Sequence, residues 1–406
     1  MTNETLHNPD LLLTDARITT DDPDLQRVLA ALGAGGQQAY VVGGAVRNGL
    51  LGAPVADWDI STDAVPERTT ELGRAAGLKA VPTGIEHGTV TLVAGGRPFE
   101  VTTFRHDVET DGRHAVVAFS RDLRDDAMRR DFTMNALYAR ADGRVIDPVG
   151  GLADLAARRL RFVGPPEQRI REDYLRILRF FRFLAWYGKA EEADPEALAA
   201  CKALASGLAQ ISRERVGAEL KKLLSAADPV PALTLMARTG VLAAILPEAD
   251  TAADSDALPL MAALIRAEAQ AGIAPDWPRR MALLQIRDPA QELRLSQKEA
   301  RHLERLALAG TGAMPLAELA YRMGAEVALD HALLRQAQGL DCPDNWRMLV
   351  QGATEQKFPL SAADLMPDLS GSQLGQGLKA AEQAWIDSGF AIPKADLIRL
   401  ARQATI

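Results

Sequence analysis

Two aspartates one residue apart, Asp57-Trp58-Asp59, are the most chemically suggestive pair in this 406-residue chain. In a strand both carboxylates would project from one face and Trp58 from the other. Side-by-side acids repel and are costly unless a cation neutralises them, which points to a divalent metal pair. Glu100, between the apolar Phe99 and Val101, could complete a three-carboxylate cradle. Upstream, Gly43-Gly44-Ala45-Val46-Arg47 follows an apolar run at a strand-to-helix junction, where backbone N–H groups and the helix dipole favour a phosphate. A third block runs from Arg129 through Arg130, Asp131 and Asn135 to Leu137. Adjacent arginines can clamp a triphosphate, and Asp131 can orient a ribose hydroxyl or an arginine. Singly, these features also read as a surface turn, an edge-strand acid and a capped amphipathic helix.

The elements that must position them alternate in type over the first 150 residues. Leu25–Leu32 reads as a helix, Ala39–Val42 as a buried strand, Ala45–Leu51 as a short helix and Asp57–Ile60 as a second strand. Thr89–Val93 and Arg97–Phe104 alternate at period two around Gly95-Gly96, a hairpin signature because a type I′ turn needs positive φ at both central residues. Beyond about residue 165 strand signals vanish. Tyr174–Tyr187, Pro195–Ala209, Arg215–Ala226 and Pro229–Thr239 show helical spacing with Pro, Asp or Gly punctuation. Asp111-Gly112-Arg113-His114 falls in a polar stretch that reads as a mobile loop.

Bulk properties narrow the class. The chain is too long for one ordinary domain, has no run approaching the roughly 20 apolar residues of a membrane helix, and shows no secretory leader pattern. Cys201 and Cys342 fit no metal-site spacing, and reduced thiols in a cytoplasmic protein are expected. Net charge is −8, yet Arg121 to Arg182 holds 14 arginines, no lysine and 10 acids. A basic zone on an acidic protein suits phosphate contact while limiting non-specific binding.

Gly43-Gly44-x-Val46-Arg47, Asp57-x-Asp59-Ile60, His87-Gly88-Thr89-Val90 and the Arg129–Leu137 block together resemble class II CCA-adding enzymes and bacterial poly(A) polymerases, members of the DNA polymerase β-like nucleotidyltransferases. The likeness continues through Asp147-Pro148-x-Gly150-Gly151, Glu172-Asp173-x-x-Arg176-x-x-Arg179 and Arg213-Glu214-Arg215. It implies an α+β nucleotidyltransferase head over residues 26–150 after an N-terminal segment (1–25), then an all-α neck (151–215), body (216–340) and tail (341–406). It also implies that Asp57 and Asp59 hold Mg²⁺ with Glu100 in support. Two ions about 3.5–4 Å apart would stabilise in-line attack of an RNA 3′-OH on a nucleotide α-phosphate. The nucleotide would then be bound by Gly43, Gly44, Arg47, Arg129, Arg130, Asp131, Asn135, Asp173, Arg176 and Arg179. Asn48 departs from the family, which has Asp there: shape is kept and charge is lost.

The same resemblance assigns base choice to Glu172-Asp173-Tyr174-Leu175-Arg176, which reads as the opening of a helix. Asp173 and Arg176 are then i, i+3 neighbours, and Glu172 can brace Arg176 from i−4. Cytosine and adenine each present an amino donor beside an unprotonated ring nitrogen, matching a carboxylate beside a guanidinium. Uracil and guanine reverse that order and leave buried charge unpaired. Arg179 and Arg182 continue the stripe toward phosphate or RNA. In the family, the loop holding Asp111–His114 helps the switch from adding C to adding A, and its full length here favours complete CCA synthesis.

The expected activity is therefore addition of CCA to the tRNA 3′ end from CTP and ATP. A poly(A) polymerase shares nearly every motif, but the chain lacks a strongly basic C-terminal extension, and Ser370–Leu378 with Trp385-Ile386 resemble the tail of CCA enzymes without a hydrolase domain. A non-catalytic tRNA-binding relative is disfavoured by the intact acids. A phosphohydrolase is disfavoured because His106-Asp107 is isolated and His302 and His331 have no acid-rich His clusters around them.

Overall fold

The computed structural model describes residues 12–111, 114–247, 256–311 and 314–404. It divides into two compact units, Met1–Leu223 with Pro231–Pro247 and Leu224–Val230 with Glu248–Ile406. No described helix is long and apolar enough to cross a membrane.

The first unit begins with β1 (Leu13–Arg17) and α1 (Pro23–Ala34). Asp22 caps α1 by accepting from the N–H groups of Asp24 and Leu25, Pro23 fixes its first turn, and Leu25, Val28, Leu29 and Leu32 are buried. There follow β2 (Ala39–Val42), α2 (Gly44–Leu50), β3 (Ile60–Thr62), α3 (Pro66–Ala75), β4 (Lys79–Gly84), β5 (Thr89–Ala94) and β6 (Arg97–Thr103). A separate two-stranded ribbon, β7 (Arg105–Asp111) with β8 (His114–Phe119), precedes α4 (Leu123–Met128), β9 (Tyr138–Ala139) and β10 (Arg144–Ile146).

Eight strands make one mixed sheet in the order β1-β10-β9-β2-β3-β6-β5-β4. Its pairs are antiparallel except β3 with β6, which run parallel with Ile60 opposite Val101. The hairpin expected around Gly95-Gly96 is present, with Ala94 opposite Arg97 and both glycines at positive φ.

Three readings are corrected. Leu13–Arg17, assigned by sequence to an N-terminal segment, is the edge strand beside β10. Asp57–Asp59 is not yet strand; regular pairing starts at Ile60, although Val42 N–H already donates to Asp59 O at 2.9 Å. Of the stretch read as a mobile loop, Asp111 and His114 are the paired ends of β7 and β8, while Gly112 and Arg113 lie outside the described residues.

Past β10 the first unit is helical: α5 (Gly151–Ala157), α6 (Pro166–Glu172), α7 (Leu175–Tyr187), α8 (Pro195–Ala203), α9 (Arg213–Leu224), α10 (Val230–Arg238) and α11 (Val241–Ile245). Pro195–Ala209, expected as one helix, stops at Ala203 and continues as a 3₁₀ segment, Ala205–Gln210. On α7 Ile177, Leu178, Phe180, Phe181 and Leu184 are buried, and Phe180 stacks on Phe162 with centroids 5.7 Å apart.

The second unit is helical among its described residues. Its best-defined core joins Leu365, Ala381, Trp385 and Leu397, with Tyr321 and Phe390 packed on Trp385. Fully buried Arg280 donates to Glu268 and to the carbonyls of Leu224 and Ala226, in the 224–230 segment of the same unit.

Candidate functional site

The parallel register brings the head acids together. Ile60 faces Val101, so one residue back on each strand sets Asp59 alongside Glu100, and Asp57 lies two residues further back on the Asp59 side. All three acids are exposed, while Phe99 and Val101 on either side of Glu100 are buried. Partial desolvation, then the charges of Glu100 and Asp57, push the Asp59 carboxyl above its ordinary range, with Arg130 opposing. Such a cluster is short of positive charge, which is the condition a divalent cation relieves.

Arg130 stands between this edge and a buried acid that the sequence reading missed. Asp126 is fully buried and accepts from Arg130 Nη2 at 3.0 Å, Arg129 Nε at 2.8 Å and the Tyr138 hydroxyl at 2.8 Å. Burial alone would raise its pKa; the two guanidinium charges and the hydroxyl overcome that and hold it at about 2. Arg130 also donates through Nε to Tyr138 and through Nη2 to Ser61. Its Nη1 takes no protein acceptor among the described residues and lies where a side chain on Gly43 would touch it, 3.4 Å from an ideal Cβ. Gly43, at φ +69°, therefore keeps the approach to that donor open. Only the i, i+3 and i, i+4 offsets of Asp126 from the arginine pair could have flagged it in the sequence.

A second chain of bonds fixes the remaining candidates. Arg47 Nη1 donates to Asn135 Oδ1 at 2.5 Å, Asn135 Nδ2 to Asp131 Oδ1 at 3.0 Å, and Arg179 clasps Asp131 Oδ2. Burial would raise Asp131, but Arg179 and Asn135 hold it at about 2. Arg47 is 6% exposed and its guanidinium lies 3.8 Å from the Tyr187 ring centroid, so burial lowers its pKa. Asn48 Oδ1 accepts from Arg47 Nε and Nη2 at 3.2 and 3.0 Å, and its Nδ2 donates to Pro54 O at 3.1 Å. An aspartate at that position could not make the last bond.

The stretch expected to open one helix is instead a break between two. Glu172 ends α6, and Asp173 is extended, with φ −156° and ψ 107°, before α7 starts. Its Oδ1 accepts from Leu175 N–H at 3.0 Å, the local bond by which Asp competes with helix continuation. Glu172 does brace Arg176, at 2.5 Å, and also receives Arg169. Arg176 Nη1 donates further to Arg169 O at 2.8 Å, capping α6. Asp173 does not pair with Arg176: its Oδ2 receives Arg215 at 2.6 Å. Arg182 pairs with Glu219 at 2.5 Å. A cavity of about 920 Å³ next to this break has Arg129, Arg169 and Glu172 in its walls, but none of Asp57, Asp59 and Glu100.

His302 in the second unit requires a correction: Asp276 and Asp330 do gather round it, their ligand atoms within 4.8 Å of one another. They arrive from three separate segments, so no local sequence cluster announced them. Arg279 Nε already sits 3.1 Å from Asp330, and its Nη1 lies 3.4 Å from Glu268. Desolvation, opposed by Arg279 and aided by Asp276, pushes Asp330 up to about 6.

A mixed sheet with acids on two adjoining parallel segments and a largely helical remainder is the polymerase β-like nucleotidyltransferase fold. A family model for the poly A polymerase head domain matches residues 39–161, and one for the probable RNA and SrmB-binding site of polymerase A matches 192–252. Residues 39–161 therefore resemble the heads of tRNA nucleotidyltransferases and poly(A) polymerases. Human mitochondrial CCA tRNA nucleotidyltransferase 1 is 47% identical over 189 residues, 45% of this chain and 43% of that protein. The CCA-adding enzyme of Levilactobacillus brevis is 43% identical over 216 residues, 53% of each chain. These alignments span about half the length of the curated relatives. In three dimensions the likeness is longer: the Bacillus stearothermophilus CCA-adding enzyme, solved in complex with CTP, superposes with a TM-score of 0.74 at 29% identity over 94% of this chain and 96% of that one.

Proposed function

We propose that this protein adds CCA to the 3′ end of tRNA in the cytoplasm, taking CTP and ATP and releasing pyrophosphate. The observation that carries the reading is the register that sets Asp59 beside Glu100, with Arg130 and its uncommitted Nη1 close by. Residues 26–150 act as the catalytic head and 151–215 as the base-selecting neck, with the body and tail holding the tRNA.

Asp57 and Asp59, supported by Glu100, are the residues that would hold Mg²⁺, which neutralises charge developing on the α-phosphate and the departing pyrophosphate. Little covalent work is left to the chain; positioning and charge complementarity do the rest. Arg130 presents Nη1 past Gly43 and Gly44 to the triphosphate. Arg129 is aimed by Asp126, and the relay through Arg47, Asn135, Asp131 and Arg179 keeps the head and the α7 helix in one arrangement. Asp173 accepts the amino group of cytosine or adenine while Arg176 donates to the ring nitrogen. Among the described residues Arg176 keeps Nε and Nη2 uncommitted for that purpose.

The test is incorporation of each labelled nucleotide, with Mg²⁺, into tRNA transcripts ending at the discriminator base, after C and after CC. C, C and then a single A is the expected product. A long A tract on tRNA and on unrelated RNA, with CTP ignored, would make the chain a poly(A) polymerase. Tight tRNA binding without incorporation would make it a non-catalytic relative.

A further inference from the structure

We infer that Arg215 is a specificity-determining positioning residue: it tethers the Asp173 carboxylate in the orientation that distinguishes cytosine and adenine from uracil and guanine. The inference rests on the base-selecting role proposed above for Asp173 and Arg176.

An aspartate beside an arginine three residues on would ordinarily pair with it, and each group would then be consumed by the other. Here both are held from outside. Arg176 is occupied at Nη1 by Glu172 and by Arg169 O. Asp173 is fixed at one oxygen by the Leu175 N–H and at the other by Arg215 Nη2, 2.6 Å away on α9. Each carboxylate oxygen keeps a spare lone pair for a base amino group. Arg215 and Glu219 are one turn apart on α9, and they meet Asp173 and Arg182 respectively, so two rungs of opposite polarity lock α9 against the start and middle of α7. The turn itself is seated tightly: a Cβ on Gly207 would lie 2.0 Å from the Tyr174 ring. Without Arg215, the Asp173 carboxylate would lose the cation that holds its Oδ2 and could turn toward the uncommitted Nε and Nη2 of Arg176, three residues on. The Arg179 guanidinium, whose charge also feels Asp173, is already held by Asp131.

The experiment compares single-nucleotide addition of CTP, ATP, UTP and GTP by wild type, Arg215→Met, Arg215→Lys and Glu219→Gln, with thermal unfolding measured on each. Glu219→Gln loosens the neighbouring rung without touching Asp173. For Arg215→Met, the preference for CTP over UTP in kcat/KM should fall by about ten-fold or more, because discrimination by hydrogen-bonding groups depends on their placement. Arg215→Lys should recover part of it, and Glu219→Gln should keep it. Equal discrimination in Arg215→Met and wild type, or equal loss in Glu219→Gln, would reduce Arg215 to a packing role and overturn the inference. Should wild type itself add neither C nor A, the underlying functional reading falls, and the inference with it.

Discussion

The head carries two sets of carboxylates under opposite conditions. Asp126 and Asp131 are enclosed, each clasped by arginine and held at about 2. Asp57 and Asp59 stand exposed just before β3 and Glu100 midway along β6, and partial desolvation followed by the neighbouring acids raises Asp59 where Asp126 and Asp131 are lowered. An acid whose charge is already balanced by the protein is part of the architecture. An acid whose charge the protein leaves unbalanced is waiting for something from solution. The arginines divide likewise: Arg179 and Arg47 are spent on Asp131 and Asn135, whereas Arg130 is half spent on Asp126 and keeps one donor turned toward Gly43.

Substitution breaks the comparison most sharply at the exposed set. Asp57→Ala should lower nucleotide incorporation by about 10³-fold or more, an effect of charge neutralisation at the transition state, with the thermal midpoint kept. Incorporation assays with melting curves on the same samples would check it. Asp126→Ala should do the reverse in kind, costing about 3–5 kcal/mol by stranding two guanidinium groups. For a unit of this size that is a fall in thermal midpoint on the order of 10 °C.

Acid titration sharpens the same contrast. Asp126 and Asp131 stay ionised in the folded protein down to about pH 2, whereas an unfolded chain protonates near about pH 4. Their stabilisation is therefore complete above about pH 4–5 and is lost as pH falls toward 2. Asp59, raised when folded, contributes in the opposite sense and costs stability once pH exceeds its ordinary range. Denaturant midpoints measured from pH 7 to pH 3 should fall in wild type and flatten in Asp126→Asn.

Smaller effects probe the scaffold. Gly207→Ala should cost about 1–3 kcal/mol, since its methyl group would meet the Tyr174 ring. Chemical denaturation would measure the loss. Asn48→Asp should change stability by less than about 1 kcal/mol, because a new charge opposite Arg47 is offset by losing the donor to Pro54 O; a differential melting scan would detect a larger shift.

Much of this was legible in the sequence, for stated physical reasons. Period-two alternation and Gly95-Gly96 identify the β5–β6 hairpin, and the regular apolar spacing of Ile177, Leu178, Phe181 and Leu184 identifies α7. Asp57 and Asp59 stand out by their one-residue spacing and Glu100 by its apolar flanks, each beside the glycine and arginine blocks. Tertiary partnerships were not legible. Nothing local links Asp126 to Tyr138 and Ser61, Asp173 to Arg215, or His302 to Asp276 and Asp330. The break at Asp173 was hidden because the helix before it, Pro166–Glu172, was not read from the sequence, with only the aspartate's habit of bonding its own backbone to give it away.

Asp59→Asn tests the central contrast most directly, with CMP and AMP incorporation and thermal unfolding measured on one preparation at pH 7 in Mg²⁺. Loss of incorporation by about 10³-fold or more with an unchanged or higher thermal midpoint is the expected result, because the substitution removes a repelled charge and a ligand at once. Sustained incorporation, or a loss that merely follows unfolding, would contradict the division between balanced and unbalanced acids.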